Sequence, residues 1–178
     1  MNWRDVAALR HHAILAYPTE SCFGLGCDPR SAVAVRRLLT IKRRPAHKGL
    51  ILLASDMQQL RFYVDDRVLA EVLGSGYVAG RLTLLLPAGR RCPAWIRGRH
   101  DKVAVRWTDF PPARRLCQRL HTAIVSTSAN RSGQRALRKA HEVRRVFGQR
   151  VRVVAGRIGT AKTPSRIVDW QSGRVLRF

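Results

Sequence analysis

Apolar residues in this chain recur at two alternating periods, and the alternation predicts a mixed α/β fold. Short apolar runs at Ala13–Ala16, Leu50–Leu53, Leu82–Leu86, Val103–Arg106 and Ala123–Ser126 predict buried strands. Further strands are expected at Val151–Ala155, Ile167–Asp169 and Val175–Phe178. Helical spacing lies between them. Val6 and Leu9 follow Asn2, a residue type whose side chain accepts a hydrogen bond from a free N–H at a helix start. Ser31 caps a second helix with Val35, Leu38 and Leu39 on one face, and this helix must stop before Pro45. Asp56 and one of Asp65 and Asp66 open two short helices. Two more span Pro111–Leu120 and Lys139–Phe147, the second with Val143, Val146 and Phe147 inward. Pattern alone leaves the strand order open.

The 178 residues fit a single domain, residues 1–178, without an internal repeat or a linker-like stretch. The longest apolar runs, such as Leu50–Ala54 and Leu84–Pro87, fall far short of the ~20 residues of a bilayer helix. Met1–His12 carries charges of both signs and no apolar core, so neither a secretory signal nor a membrane partner is expected, and the cytoplasm is the expected compartment. Charge changes the picture. The 34 basic and 11 acidic residues leave +23, a balance that points to polyanionic partners. Residues 1–89 carry +5 and residues 90–178 carry +18. Lysine occurs at only five positions, 42, 48, 102, 139 and 162; the rest are arginines, which grip phosphate through two N–H groups at once. An arginine-rich solvated surface explains the choice of arginine over lysine better than it explains the scarcity of acids.

Familiar catalytic signatures are missing. There is no Walker-type phosphate loop, Gly24-Leu25-Gly26 lacks the third glycine of a dinucleotide turn, and in Gly159–Thr163 the glycine and lysine are not adjacent. No nucleophile elbow or zinc-binding helix occurs. Cys22, Cys27, Cys92 and Cys117 have no metal-type spacing and read as reduced thiols. Four segments instead concentrate polar chemistry. Tyr17–Gly26 reads as a glycine-rich loop with hydroxyls at Thr19 and Ser21. Lys42–Gly49 sets four cations at a helix end, an arrangement suited to phosphate. Ser126–Gly133 is a run of small hydrogen-bonding side chains, and Thr163–Arg166 leads into an apolar strand. Each segment alone fits an ordinary turn or cap; their order and spacing together carry more.

These segments resemble the YrdC/TsaC family of threonylcarbamoyl-adenylate synthases, over essentially the whole chain. The resemblance rests on YPTES-FGLG at 17–26, Lys42 and Arg44 followed by RP--KGLIL through 53, AVRWTDFP at 104–111, STSAN-SG at 126–133 and PSRIVD at 164–169. The short length is similar to the single-domain bacterial form. One departure stands out: Ala79-Gly80-Arg81-Leu82-Thr83 occupies the place of a usual Pro-Gly-Pro-x-Thr, and Trp107 replaces a smaller residue.

The resemblance implies a YrdC-like twisted mixed sheet with helices on its faces around an open basic cavity. It implies synthesis of L-threonylcarbamoyladenylate from L-threonine, bicarbonate or CO₂, and ATP, with release of pyrophosphate, for N6-threonylcarbamoyladenosine in tRNA. No covalent nucleophile is needed; positioning and charge compensation suffice. Thr19 and Arg106 are implied to hold threonine, with Ser126 and Ser165 nearby, while Lys42, Arg44, Lys48, Ser128 and Asn130 serve ATP. Mg²⁺ is expected to arrive on the ATP phosphates, not on a protein site. Glu20 and His47 are the candidates for a base, though a structural role suits each. Separately, the charge asymmetry predicts binding of tRNA or duplex RNA through residues 90–178, with Arg138, Lys139, Arg144 and Arg145 as the basic group, and a contact is expected with the complex that next transfers the threonylcarbamoyl group. The alternatives are a non-catalytic double-stranded RNA or ribosomal RNA binder, which would need only the cationic surface, and a carbamoyl-phosphate-dependent transferase.

Overall fold

A computed structural model describes residues 3–177. Asn2 and Phe178, assigned above to a helix cap and a strand end, lie outside the described residues. The chain runs α1 (Trp3–Arg10), β1 (Leu15–Pro18), β2 (Phe23–Cys27), α2 (Ala32–Lys42), β3 (Ile51–Ala54), α3 (Asp66–Gly74), β4 (Leu82–Pro87) and α4 (Ala94–Arg97). It continues through β5 (Lys102–Trp107), α5 (Pro111–Leu120), β6 (Ile124–Ser128), α6 (Ala140–Phe147), β7 (Arg152–Val153), β8 (Arg166–Asp169) and β9 (Val175–Arg177). The capping chemistry is as its residues predict. Ser31 Oγ accepts from Ala34 N at 3.1 Å, and the Asp65 carboxylate accepts from the amides of Arg67 and Val68. Asp56 opens a short 3-10 helix, Met57–Leu60, and its carboxylate accepts from Gln58 N at 2.8 Å.

These strands join one mixed sheet in the order β7-β1-β2-β6-β3-β5-β4-β8-β9. The expected glycine-rich loop after β1 is in fact a hairpin, since Phe23–Cys27 returns antiparallel to β1. Glycine is rare in strands because it has nothing to pack, and here that vacancy is what the site requires. A Cβ on Gly26 would stand 2.6 Å from Val125 O and 2.8 Å from the Tyr17 ring; one on Gly24 would press Thr19 at 3.0 Å.

Strand alternation sorts the sheet into two unlike faces. On one face Phe23, Leu25, Cys27, Leu52, Leu84, Val105 and Val125 bury themselves under α2, α3, α4 and α6 in the main core. The register places Gly24 beside Ser128, Gly26 beside Ser126, Ile51 beside both Ser126 and Ala104, and Leu85 beside Ala104 on the other face. α5 and α1 cover only part of that second face, over Leu15, Tyr17, Leu53 and Ile124. The remainder stays open.

Candidate functional site

The uncovered part of the second face is a cavity of about 690 Å³, a size typical of small-ligand sites. Its floor is the sheet itself: Gly24, Ile51, Leu53, Thr83, Leu85, Ala104, Arg106, Ser126 and Ser128 line it. The hollow exists because several of these floor positions hold glycine, alanine or serine. Around the rim stand Arg44, Lys48, Arg135, Arg138 and Lys162. With Arg106 they set six Lys and Arg side chains against one carboxylate among the described residues, Glu20. Among the described residues no group of three or more His, Cys, Asp or Glu could hold a metal ion.

Each polar side chain on the floor is oriented by its neighbours. Tyr17, fully buried, donates its hydroxyl to Ser126 Oγ at 2.7 Å, and burial raises the phenol so that it keeps its proton. Thr83 and Ser165 share a buried hydrogen bond of 2.8 Å that joins β4 to the start of β8. Arg106 donates Nε to Gly80 O at 2.9 Å and forms an ion pair with Glu20. Thr19 closes the hairpin turn, with its amide and hydroxyl both donating to Cys22 O, at 2.9 and 2.7 Å. Arg44, which lines the cavity, donates to Gly49 O from Nη2 at 2.9 Å and from Nε at 3.2 Å.

Lys42 departs from the expected position. It is 3% exposed and does not line the cavity; its ammonium sits behind the wall, donating to Ser128 O, to Asn130 O at 2.8 Å and to Asn130 Oδ1 at 3.5 Å. Burial pulls its pKa from 10.5 down to about 8, and the nearby Arg44 charge adds to the fall. The same loop is closed by Ser128 Oγ donating to Asn130 Oδ1 and by Asn130 Nδ2 donating to the carbonyls of Arg131 and Gln134. Lys42 therefore fixes the loop that carries Ser128 and Asn130.

The structure thus gathers Thr19, Arg44, Lys48, Arg106, Ser126, Ser128, Asn130 and Ser165 around one cavity. It adds Thr83, Arg135 and Lys162, which sequence reasoning missed, and it moves Arg138. The helix begins at Ala140, so Arg138 precedes it and lines the cavity, instead of sharing the outer basic face with Arg144 and Arg145. The departure at Arg81 also acquires a partner. Its Nη2 donates to Thr163 O at 2.5 Å and to Thr163 Oγ1 at 3.2 Å, tying the strand entry to the segment that carries Ser165.

The model of the Sua5, YciO and YrdC proteins, described as "Telomere recombination", matches residues 7–178. The chain belongs to this family. A threonylcarbamoyl-AMP synthase of Chromobacterium violaceum is 51% identical over 170 residues, covering 95% of this chain and 88% of that one. A threonylcarbamoyl-AMP synthase of Escherichia coli strain K12 is 43% identical over 175 residues, covering 97% and 92%. Among solved structures, Sua5 of P. abyssi complexed with L-threonine superposes with a TM-score of 0.83 at 29% identity over 97% of this chain. This family member spans about half of that Sua5 chain, 51%. E. coli YciO, at 22% identity and a TM-score of 0.80, shares the fold.

Proposed function

We propose that this single YrdC-like domain is a cytoplasmic threonylcarbamoyl-AMP synthase serving N6-threonylcarbamoyladenosine formation in tRNA. The observation that carries the reading is the 51% identity, over 95% of the chain, to a protein of that name. The cavity's division of labour supports it. Arg106, Thr83 and Ser165 collect on the β5-β4-β8 side, while Ser128 ends β6 and Asn130 follows it, about three strand spacings or ~14 Å from β4. One cavity thus has room for an amino acid at one end and a nucleotide at the other.

In this reading the threonine amine captures CO₂ as a carbamate, and a carbamate oxygen attacks the α-phosphorus of ATP as pyrophosphate leaves. Carboxylate, carbamate and triphosphate must meet, so the domain's work is to hold three anions together. Arg106 takes the threonine carboxylate, and Thr19, Ser126 and Ser165 surround the rest of the molecule. Arg44 and Lys48 face the phosphates, Ser128 and Asn130 face the nucleoside, and Lys42 acts through the loop that it ties. Mg²⁺ enters as part of the ATP substrate. Arg144 and Arg145, exposed on α6, with Lys139 just before it, give tRNA or duplex RNA a separate landing surface. The transfer complex that uses the adenylate would approach the cavity mouth.

The test is pyrophosphate release from Mg·ATP, with the adenylate followed by mass spectrometry. Release is expected only when L-threonine and bicarbonate are both present. Equal release without threonine would sink the assignment.

A further inference from the structure

Among the described residues Glu20 is the single carboxylate lining the cavity, surrounded by six Lys and Arg side chains. It is not loose. Its side chain is 13% exposed and paired with the equally enclosed Arg106, itself steered by Gly80 O at 2.9 Å. Its backbone is pinned independently, because Ala161 N donates to Glu20 O at 3.0 Å and Gly159 packs so closely that a Cβ would meet that oxygen at 2.8 Å. The backbone is thus held and the side chain alone has room to swing.

We infer that Glu20 is the specificity residue for the substrate's amino group: the incoming carboxylate replaces Glu20 on Arg106, and the displaced Glu20 pairs with the ammonium. This rests on the amino-acid site proposed above. A cavity with six cations would attract any anion, metabolic acids and free phosphates included. An anion without an ammonium must break the Glu20–Arg106 pair and leave a carboxylate unpaired in an enclosed site, which is costly. A zwitterion returns a partner to both. The pair therefore penalises simple anions and lets α-amino acids exchange.

The test is calorimetric titration of the wild type, Glu20→Gln and Glu20→Asp with L-threonine and with (R)-3-hydroxybutanoate, which keeps the carboxylate and hydroxyl but has no amine. Glu20→Gln is expected to weaken L-threonine about ten- to a hundredfold, the worth of one charge-assisted contact, and to tighten 3-hydroxybutanoate. Glu20→Asp should keep the wild-type preference. If Glu20 merely braces the turn, Glu20→Gln lowers both affinities in parallel, and that result, or no change in either, overturns the exchange alone. Failure of the wild type to bind L-threonine overturns both the exchange and the proposed function.

Discussion

Replacing Lys42 by methionine separates holding a loop from touching a nucleotide. Methionine keeps an unbranched stem of similar reach and removes the charge. The substitution removes two charge-assisted hydrogen bonds, to Ser128 O and Asn130 O, at about 1.5–3 kcal/mol each. The offset is large, because the fall in pKa from 10.5 to about 8 corresponds to about 3 kcal/mol of penalty on the buried ammonium. The net cost is then roughly 0–3 kcal/mol, centred near 1.5, which for a domain of this size lowers Tm by about 3–6 °C. A displaced Ser128–Asn130 loop should also cut kcat/KM for ATP about ten- to a hundredfold. The assays are thermal unfolding and threonine-dependent pyrophosphate release. Arg37→Ala, on the exposed face of the same helix, is the control and should change neither. Lys102 would be a poor control, since it is paired with Asp169 at 2.7 Å. An unchanged kcat/KM for ATP would refute the loop argument, because Ser128 and Asn130 would then be held in place without the ammonium. An equal decline in the Arg37 variant would reduce Lys42 to general positive potential.

Other consequences follow from single interactions. Arg81→Ala frees the Thr163–Ser165 segment from one exposed clamp, so KM for L-threonine should rise about two- to tenfold with kcat little changed; an unaltered KM would show that the clamp is idle. Neutralising Lys139, Arg144 and Arg145 together should weaken duplex RNA binding and flatten log K against log salt by about 0.7–0.9 for each phosphate no longer neutralised, with pyrophosphate release intact. Salt-independent binding by the wild type would end that argument. Burial raises the Cys117 thiol from 9.0 to about 12, so the unfolded chain ionises first as pH climbs. Its contribution to stability is whole below pH 9 and shrinks toward pH 12, and wild type should lose about 1.4 kcal/mol per pH unit relative to Cys117→Ala. Parallel denaturation curves for the two proteins from pH 9 to 10.5 would refute it.

The parts of the fold that were legible are those decided by near neighbours. The caps at Ser31 and Asp65 and the whole of α5 follow from hydrogen bonds and periodicity within a few residues. β2 escaped because its residues were selected by what lies across the sheet. Gly24 and Gly26 look like loop residues until Tyr17 and Val125 are known to press on them. The cavity floor was hidden for the same reason, since it is assembled from alternate residues of strands whose pairing crosses more than 100 residues of chain, as Gly24 with Ser128 does.

Lys42 is the instructive case, because helical period and local charge density point it in opposite directions. Beside Arg43, Arg44 and Lys48 it reads as one of a solvated cation cluster. Yet Val35, Leu38, Leu39 and Lys42 stand at i, i+3, i+4 and i+7, a single apolar stripe of α2 that ends in a charge. Helical period wins, since the face of a packed helix is fixed by the burial of its other residues, each worth roughly 1.5–3 kcal/mol. A lysine carried inward on such a face needs acceptors, and the loop after β6 supplies them as carbonyl oxygens. Burial of that one charge therefore couples the core to the site: packing of the helix favours the placed loop, and the placed loop favours packing of the helix.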